Sequence, residues 1–332
     1  MSYELVWFKR DLRWQDHAAL AQAALRGPVR CIYVVEPELW LQPDAALQHF
    51  EFVRESLQAL DEALRLQGGC IEVHTGELPD VLSRIWNDAP FRQIHAHQET
   101  GNGFTYARDL RVGAWCQAHN VGWHEYPQFG VVRRLKNRNL WQPAWERHMA
   151  EPVQDVGELK FWQPSVNAPA TTSPHALPHT SRHTWCSPSH MQAPAHLQHN
   201  PPLRQRGGRH LALDTLHSFL HARSLGYRGG ISSPLSAPDA CSRLSAYLAW
   251  GCISMREVVQ HTRAHIAQLP PQASRHRAGL TAFISRLYWH CHFIQKLESE
   301  PAIEWQNMHR GYDGLREHDF NEAHFEALKA AR

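Results

Sequence analysis

Five short apolar runs, alternating with segments of helical period, constrain this chain more than any other feature. They are Glu4–Phe8, Val29–Val35 (apolar but for Arg30), residues 70–74, residues 91–97 and Gly122–Tyr126. Between them, Asp16 can cap a helix carrying Leu20 and Leu25. Phe50, Val53, Leu57, Leu60 and Leu64 lie on one face of a long helix that Gly68 and Gly69 end. Val81, Leu82, Ile85 and Trp86 mark a third helix, and Tyr106, Leu110 and Ala114 a fourth. Strands alternating with helices predict a parallel sheet covered on both faces, with right-handed crossovers. No G-x-G-x-x-G is present, so nothing here marks a dinucleotide fingerprint. His95 and His97 open the stretch 95–103, just past a strand end, where such sheets bind ligands. Two histidines there could ligate a metal, but a polar loop suits them better in a chain with 25 histidines.

The second half reads differently. Residues 131–138, V-V-R-R-L-K-N-R, form a basic connector, and Trp141, Trp145 and Met149 at spacing four predict a short helix. Residues 164–202 have linker composition, rich in Pro, Ser, Thr and His. Their His175, His179, His183, Cys186 and His190 match no standard zinc spacing. From Gly207 the chain turns helical, with Leu213, Leu216 and Leu220 on one face. In the stretch 236–251, Ser236 or Asp239 can cap a helix, Leu244, Tyr247 and Leu248 recur at helical spacing, and Gly251 suits a left-handed C-cap. Ser242, Arg243 and Ser245 near its start suit an anion, although helices with an early serine are most often only helices. Ser254 and Glu257 form a capping box for a helix carrying Val258, Val259, Thr262 and Ile266. Residues 283–297 read as one more helix, on which Trp289, taken alone, is a core aromatic. His290, Cys291 and His292 are a weak metal set, because adjacent residues on a helix diverge.

The length of 332 residues suits two domains, and no apolar run reaches membrane-spanning length. Lys9 and Arg10 follow the opening apolar run instead of preceding it, which is not a signal-peptide layout. Seven cysteines without paired spacing fit a reducing, cytoplasmic setting. Charge is uneven. Residues 1–203 hold 18 Lys and Arg against 21 Asp and Glu, whereas residues 204–297 hold 12 against 3, a net charge of +9. Such a segment suits a polyanion such as nucleic acid, or a basic surface balanced by the acidic tail after Glu298.

Several motifs carry a family resemblance. C-S-R-L-S-A-Y-L-A-W-G, from Cys241, resembles the flavin-phosphate segment of the DNA photolyase/cryptochrome family, T-S-x-L-S-x-Y-L-x-x-G, with Cys241 in the place of its threonine. V-W-F-K-R-D-L-R-W-Q-D, residues 6–16, resembles that family's opening strand and turn. The segment from Gly207 resembles the opening of its flavin domain, and Tyr227 falls on a tyrosine that touches the flavin phosphates. Residues 283–297 resemble the helix that faces flavin and DNA. Trp289 falls on the tryptophan that stacks against damaged pyrimidines, His290 where many relatives have Arg, and Arg286 where many have Glu.

The resemblance implies an α/β parallel-sheet antenna domain, Rossmann-like, over residues 1–130. A connector and linker would follow over 131–205, then the N-terminal part of an all-α flavin-binding domain over 206–332. The family continues well beyond this length, so the helical domain is expected to be incomplete, with FAD held weakly or not at all. The activity implied is light-driven, FAD-dependent repair of UV-induced pyrimidine dimers in DNA, by a deoxyribodipyrimidine photolyase-like lyase with no acid or base residue. The alternatives are a cryptochrome-type blue-light photoreceptor without repair activity, or a non-functional remnant. Tyr227, Cys241, Ser242, Arg243, Leu244 and Ser245 would hold FAD, and Arg286, Trp289, His290 and Phe293 would meet DNA. A second antenna chromophore of folate or deazaflavin type could sit in the α/β domain. Damaged DNA is the expected partner of a monomer, with no metal and no membrane.

The charge asymmetry makes a prediction. Affinity for undamaged duplex should fall linearly in log–log with salt concentration. Filter-binding or fluorescence-anisotropy titrations across a salt series test it, and a salt-insensitive affinity would count against an electrostatic footprint on 204–297.

Overall fold

A computed structural model describes residues 2–163 and 185–330. His175, His179 and His183 lie outside the described residues. The first part is a sheet of order β5-β4-β1-β2-β3-β6. Its strands are β1 (Glu4–Phe8), β2 (Val29–Val35), β3 (Ile71–Thr75), β4 (Gln93–His97), β5 (Gly122–Tyr126) and β6 (Trp185–Cys186). All pairings are parallel except that of β6 with β3. The crossover helices are α1 (Ala18–Ala24), α2 (Leu47–Leu66), α3 (Leu78–Asp88) and α4 (Gly103–Ala118). They cover both faces. One core gathers Val6, Phe8, Tyr33, Phe50 and Leu57, and the other Leu5, Trp7, Ile32, Val81 and Ile94. Alternation along β1 and β2 sends successive side chains to opposite cores.

An all-α part follows. It holds α5 (Trp141–Ala150), α6 (Arg209–His221), α7 (Ser245–Ala249), α8 (Met255–Gln268), α9 (Ser274–Ser299) and α10 (Glu322–Lys329). Trp141, Trp145 and Met149 bury the inner face of α5, as their spacing predicts. The Ser254–Glu257 capping box opens α8. No helix among the described residues is long and apolar enough to cross a membrane, and all seven cysteines are free.

Several expectations need correcting. His17, not Asp16, caps α1. Asp16 sits at φ +48° with its carboxylate turned to the Gln154 N–H and to Arg256, so the next imidazole accepts the Leu20 N–H. On α4, Tyr106 and Leu110 are exposed. The inward face instead carries Thr105, Arg108, Val112, Trp115 and Cys116, so a buried arginine disguises the period. Residues 185–202 are not a plain linker: β6 extends the sheet, and Met191 and Leu197 join its core. The helix expected over 236–251 is two short turns of helix, broken at Cys241–Leu244, where Cys241 is extended and Arg243 sits at φ +59°.

His95 and His97 lie buried on β4 instead of in a loop. His95 contacts Glu4 and Tyr126. His97 Nδ1 lies 2.7 Å from Asp11 Oδ2, and His17 Nε2 lies 2.9 Å from the same oxygen. Burial raises the Asp11 carboxyl's pKa, but the two imidazoles overcome it and hold the group well below its usual range. The three ligand atoms are close enough together for a metal. His17 already spends Nδ1 as the acceptor that caps α1, so the proton of its neutral ring sits on Nε2 and faces Asp11. The cluster is therefore better read as a carboxylate clamped by two rings than as a metal centre.

The two parts meet where the turn after β1 docks on the end of α7. The Leu12 N–H donates to the Trp250 carbonyl (3.0 Å), and Arg13 Nη1 donates to the Gly251 carbonyl (2.9 Å). Gly251 has φ +64°, and a Cβ there would lie 2.2 Å from the Arg10 carbonyl oxygen. Gly157 has nearly the same φ, +67°, with open space around it. Gly251→Ala should destabilise the chain by about 2–6 kcal/mol, since positive-φ strain and overpacking each cost about 1–3 kcal/mol. Gly157→Ala should cost only the first of these. Denaturant midpoints of both variants test this, and equal losses would show that the close approach at Gly251 is relieved.

Candidate functional site

The break at Cys241–Leu244 lies at the centre of the site. Its carbonyls are tied back into the protein: Arg223 donates to those of Cys241 and Ser242, and Gln205 Nε2 donates to that of Arg243 (2.7 Å). Because these carbonyls are spent, the turn holds its shape without helical bonds, and Ser242, Arg243 and Ser245 line a cavity of about 640 Å³. Cys241 and Leu244 line it as well. Tyr227 closes one side, its ring edge-on to Phe219 and Phe283. Burial raises the pKa of the Tyr227 phenol, and the Arg286 charge pulls the other way.

The opposite wall is α9. Leu280, Phe283, Leu287 and Cys291 run down its buried side. At Gly279 a Cβ would lie 2.1 Å from the Ser224 carbonyl oxygen, so α9 packs directly on the turn before Tyr227. Phe283, Arg286, Leu287 and His290 face the cavity. At 100° per residue, Arg286, Trp289, His290 and Phe293 fall within one sector of about 100°. The sector straddles the cavity rim. Arg286 and His290 line the cavity, while Trp289 and Phe293, each about half exposed, stand outside it. Arg286 lies over the Trp289 ring, 5.6 Å from its centroid, and Trp289 and Phe293 meet edge to face. Trp289 is thus not the core aromatic that its residue type alone suggests. Arg138 Nη2 lies 2.8 Å from His292, which adds a second cation to this face.

All six residues expected at a cofactor line one cavity. Of the four expected at DNA, two line it and two adjoin it. Gln205, Ile231, Leu248, Phe283 and Leu287 complete the lining. Phe283 and Leu287 could have been found from their period on α9; Gln205 gives no signal in the sequence. No carboxylate lines the cavity, whereas two guanidiniums do, and Arg286 has no ion-pair partner among the described residues. Hydroxyls and guanidiniums, together with Phe283, Leu287 and Leu248 in one lining, fit a ligand with phosphates and a flat apolar ring system. FAD is such a ligand. The carboxyl ends of β1, β2 and β4 are different. There Arg108 Nη1 meets Glu36 (3.0 Å), Arg108 Nη2 meets Glu99 (2.6 Å) and Lys9 meets Asp109 (3.4 Å), all with little exposure. This buried ion network lies at that end of the sheet.

Comparison with known proteins places this geometry. The DNA photolyase family model matches residues 4–133. The chain is similar to a deoxyribodipyrimidine photo-lyase of Streptomyces griseus, 24% identical over 98% of this chain and 67% of the relative. It is also similar to a cryptochrome DASH of Synechocystis, 23% identical over 82% of this chain and 56% of the relative. In fold it resembles an archaeal photolyase of Sulfolobus tokodaii, solved with two FAD molecules. The TM-score is 0.69 at 22% identity, over 98% of this chain and 66% of that one. The chain thus spans about two thirds or less of these relatives' length.

His290 provides a test of the site's electrostatics. Burial pushes its imidazole down to about 4, against about 6.5 in an unfolded chain. A depressed histidine contributes stability that is present above about pH 6.5 and is lost as pH falls through the window down to about 4. His290→Gln should therefore lose less stability than the parent between pH 6.5 and 4.5. Denaturation at several pH values checks this, and parallel pH profiles would place the ring in water.

Proposed function

Because the chain belongs to the DNA photolyase/cryptochrome family, we propose that it is a flavin-dependent, light-driven DNA repair protein acting on UV-damaged pyrimidines. The observation that carries this reading is the cavity without carboxylates, opening beside the exposed Trp289–Phe293 pair. FAD, when bound, would supply light absorption and electron donation. The chain's own residues do the rest. Ser242, Ser245 and Arg243 hold the phosphates, with the Tyr227 hydroxyl in reach of the same wall. Phe283 and Leu287 exclude water from the ring end. Arg138 of the connector and the cations of residues 204–297 bind the DNA backbone, which gives affinity without information about damage. Damaged bases leave the stack, a step general to photolyases, and Trp289 gives them an aromatic face. Arg286 at the rim donates hydrogen bonds only, so it would recognise carbonyl oxygens or a phosphate.

That last point favours a second reading. A guanidinium stands where much of the family has a carboxylate directed at the pyrimidine dimer, which suits a cryptochrome-type photoreceptor that binds flavin without repair. Incubating the FAD-loaded chain with a thymine-dimer oligonucleotide under blue light separates the two. Loss of the dimer supports repair. An intact dimer with normal flavin absorbance supports the photoreceptor.

Trp289→Ala should lower affinity for damaged duplex by about ten- to a hundredfold, because stacking contributes about 1–3 kcal/mol per base. Undamaged duplex should bind almost as before, and the melting temperature should hold, since the ring is half exposed. Equal loss for both DNAs with a collapsed melting temperature would assign Trp289 to packing instead.

A further inference from the structure

Away from the cavity, four histidines form a continuous cluster where α6, α8 and α9 meet. His217 and His221 lie one turn apart on the exposed side of α6, with ring centroids 4.2 Å apart. The His221 ring meets His265 of α8 at 4.5 Å, and His265 lies 5.3 Å from His276 of α9. Among the described residues none of the four pairs with a carboxylate. His276 Nε2 bonds to the Leu220 carbonyl (2.7 Å), which fixes that ring. His265 Nε2 is buried and has no hydrogen-bond partner. A buried polar atom without a partner marks the place of a missing water or ion. Nothing in the proposed flavin or DNA chemistry uses these rings.

We propose that His217, His221 and His265 form a binding site for a borderline divalent metal ion of the zinc class. Two histidines at i and i+4 present both rings on one helix face, the arrangement that holds zinc on the helices of metalloproteases. His265, across the groove on α8, supplies the third imidazole, the donor that suits zinc, nickel and copper alike. Among the described residues only the Asp11 group has three ligand atoms already gathered within 4.8 Å. His217 and His221 must therefore turn to close on the ion, which exposed rings do by moving between rotamers. The ion would fasten α6 to α8, and would stabilise the fold because it binds the folded chain alone.

The test uses the full chain freed of metal with a chelator, titrated calorimetrically with zinc chloride and then melted with and without zinc. One zinc ion per chain should bind, and the melting temperature should rise. In the double variant His217→Ala/His221→Ala, and separately in His265→Gln, affinity should fall by about tenfold or more and the rise should vanish. His261→Ala, an exposed histidine of α8 outside the cluster, should change neither. The proposal is overturned if parent and variants bind zinc alike, if His261→Ala loses as much as the double variant, or if His265→Gln keeps full affinity. Both members of the double variant are exposed, and circular dichroism of that variant shows whether it folds.

Discussion

Arg13 spends its guanidinium on two backbone carbonyls, those of Gly251 and Asp16, and is buried almost completely. The rest of the structure depends on that bond pair. It fixes the end of α7 against the turn after β1, while Arg256 reaches back from α8 to the Asp16 carboxylate (3.1 Å). Removing the partners of a buried charge is strongly destabilising, so a shift of either part that breaks the Nη1 and Nη2 bonds of Arg13 is costly. The cavity wall at Ser242–Ser245 is a few residues from this clamp. A rigid sheet thereby sets the position of a loop that has almost no regular structure of its own. Trp250 packs against the cores on both sides, and Arg10 lies over its ring.

Much of the fold was legible because the first part obeys local rules. Val29–Val35 and its neighbours are apolar on both faces, as buried parallel strands must be. The departures have a common cause, which is that long-range polar contacts outweigh local pattern. Asp16 loses its capping role to distant partners. Arg108 turns inward because Glu36, Glu99 and Asp109 await it. The strand at Trp185 has two residues in a proline-rich setting, so only its partner, β3, reveals it. In the site, the motif put Ser242 and Ser245 on one stretch, and both line the cavity, but it implied a helix where the carbonyls of Cys241–Arg243 find side-chain donors instead.

α9 combines two kinds of surface on one rod. Its spine of Leu280, Phe283, Leu287 and Cys291 is fixed by packing, and that rigidity gives Arg286, Trp289, His290 and Phe293 defined directions. The lining of the cavity and the platform outside it are therefore coupled through a single helix of 26 residues. Any displacement of α9 moves both together.

The antiparallel β6 has a consequence for how the chain is made. It covers β3, which would otherwise present a row of unpaired backbone groups. Yet β6 lies roughly 110 residues beyond β3, and synthesis proceeds at about 5–20 residues per second. The nascent sheet thus spends several seconds with that edge open, long after its five parallel strands have left the ribosome. During that interval the edge invites pairing with a neighbouring chain, so the yield of folded protein should depend on how crowded the emerging chains are.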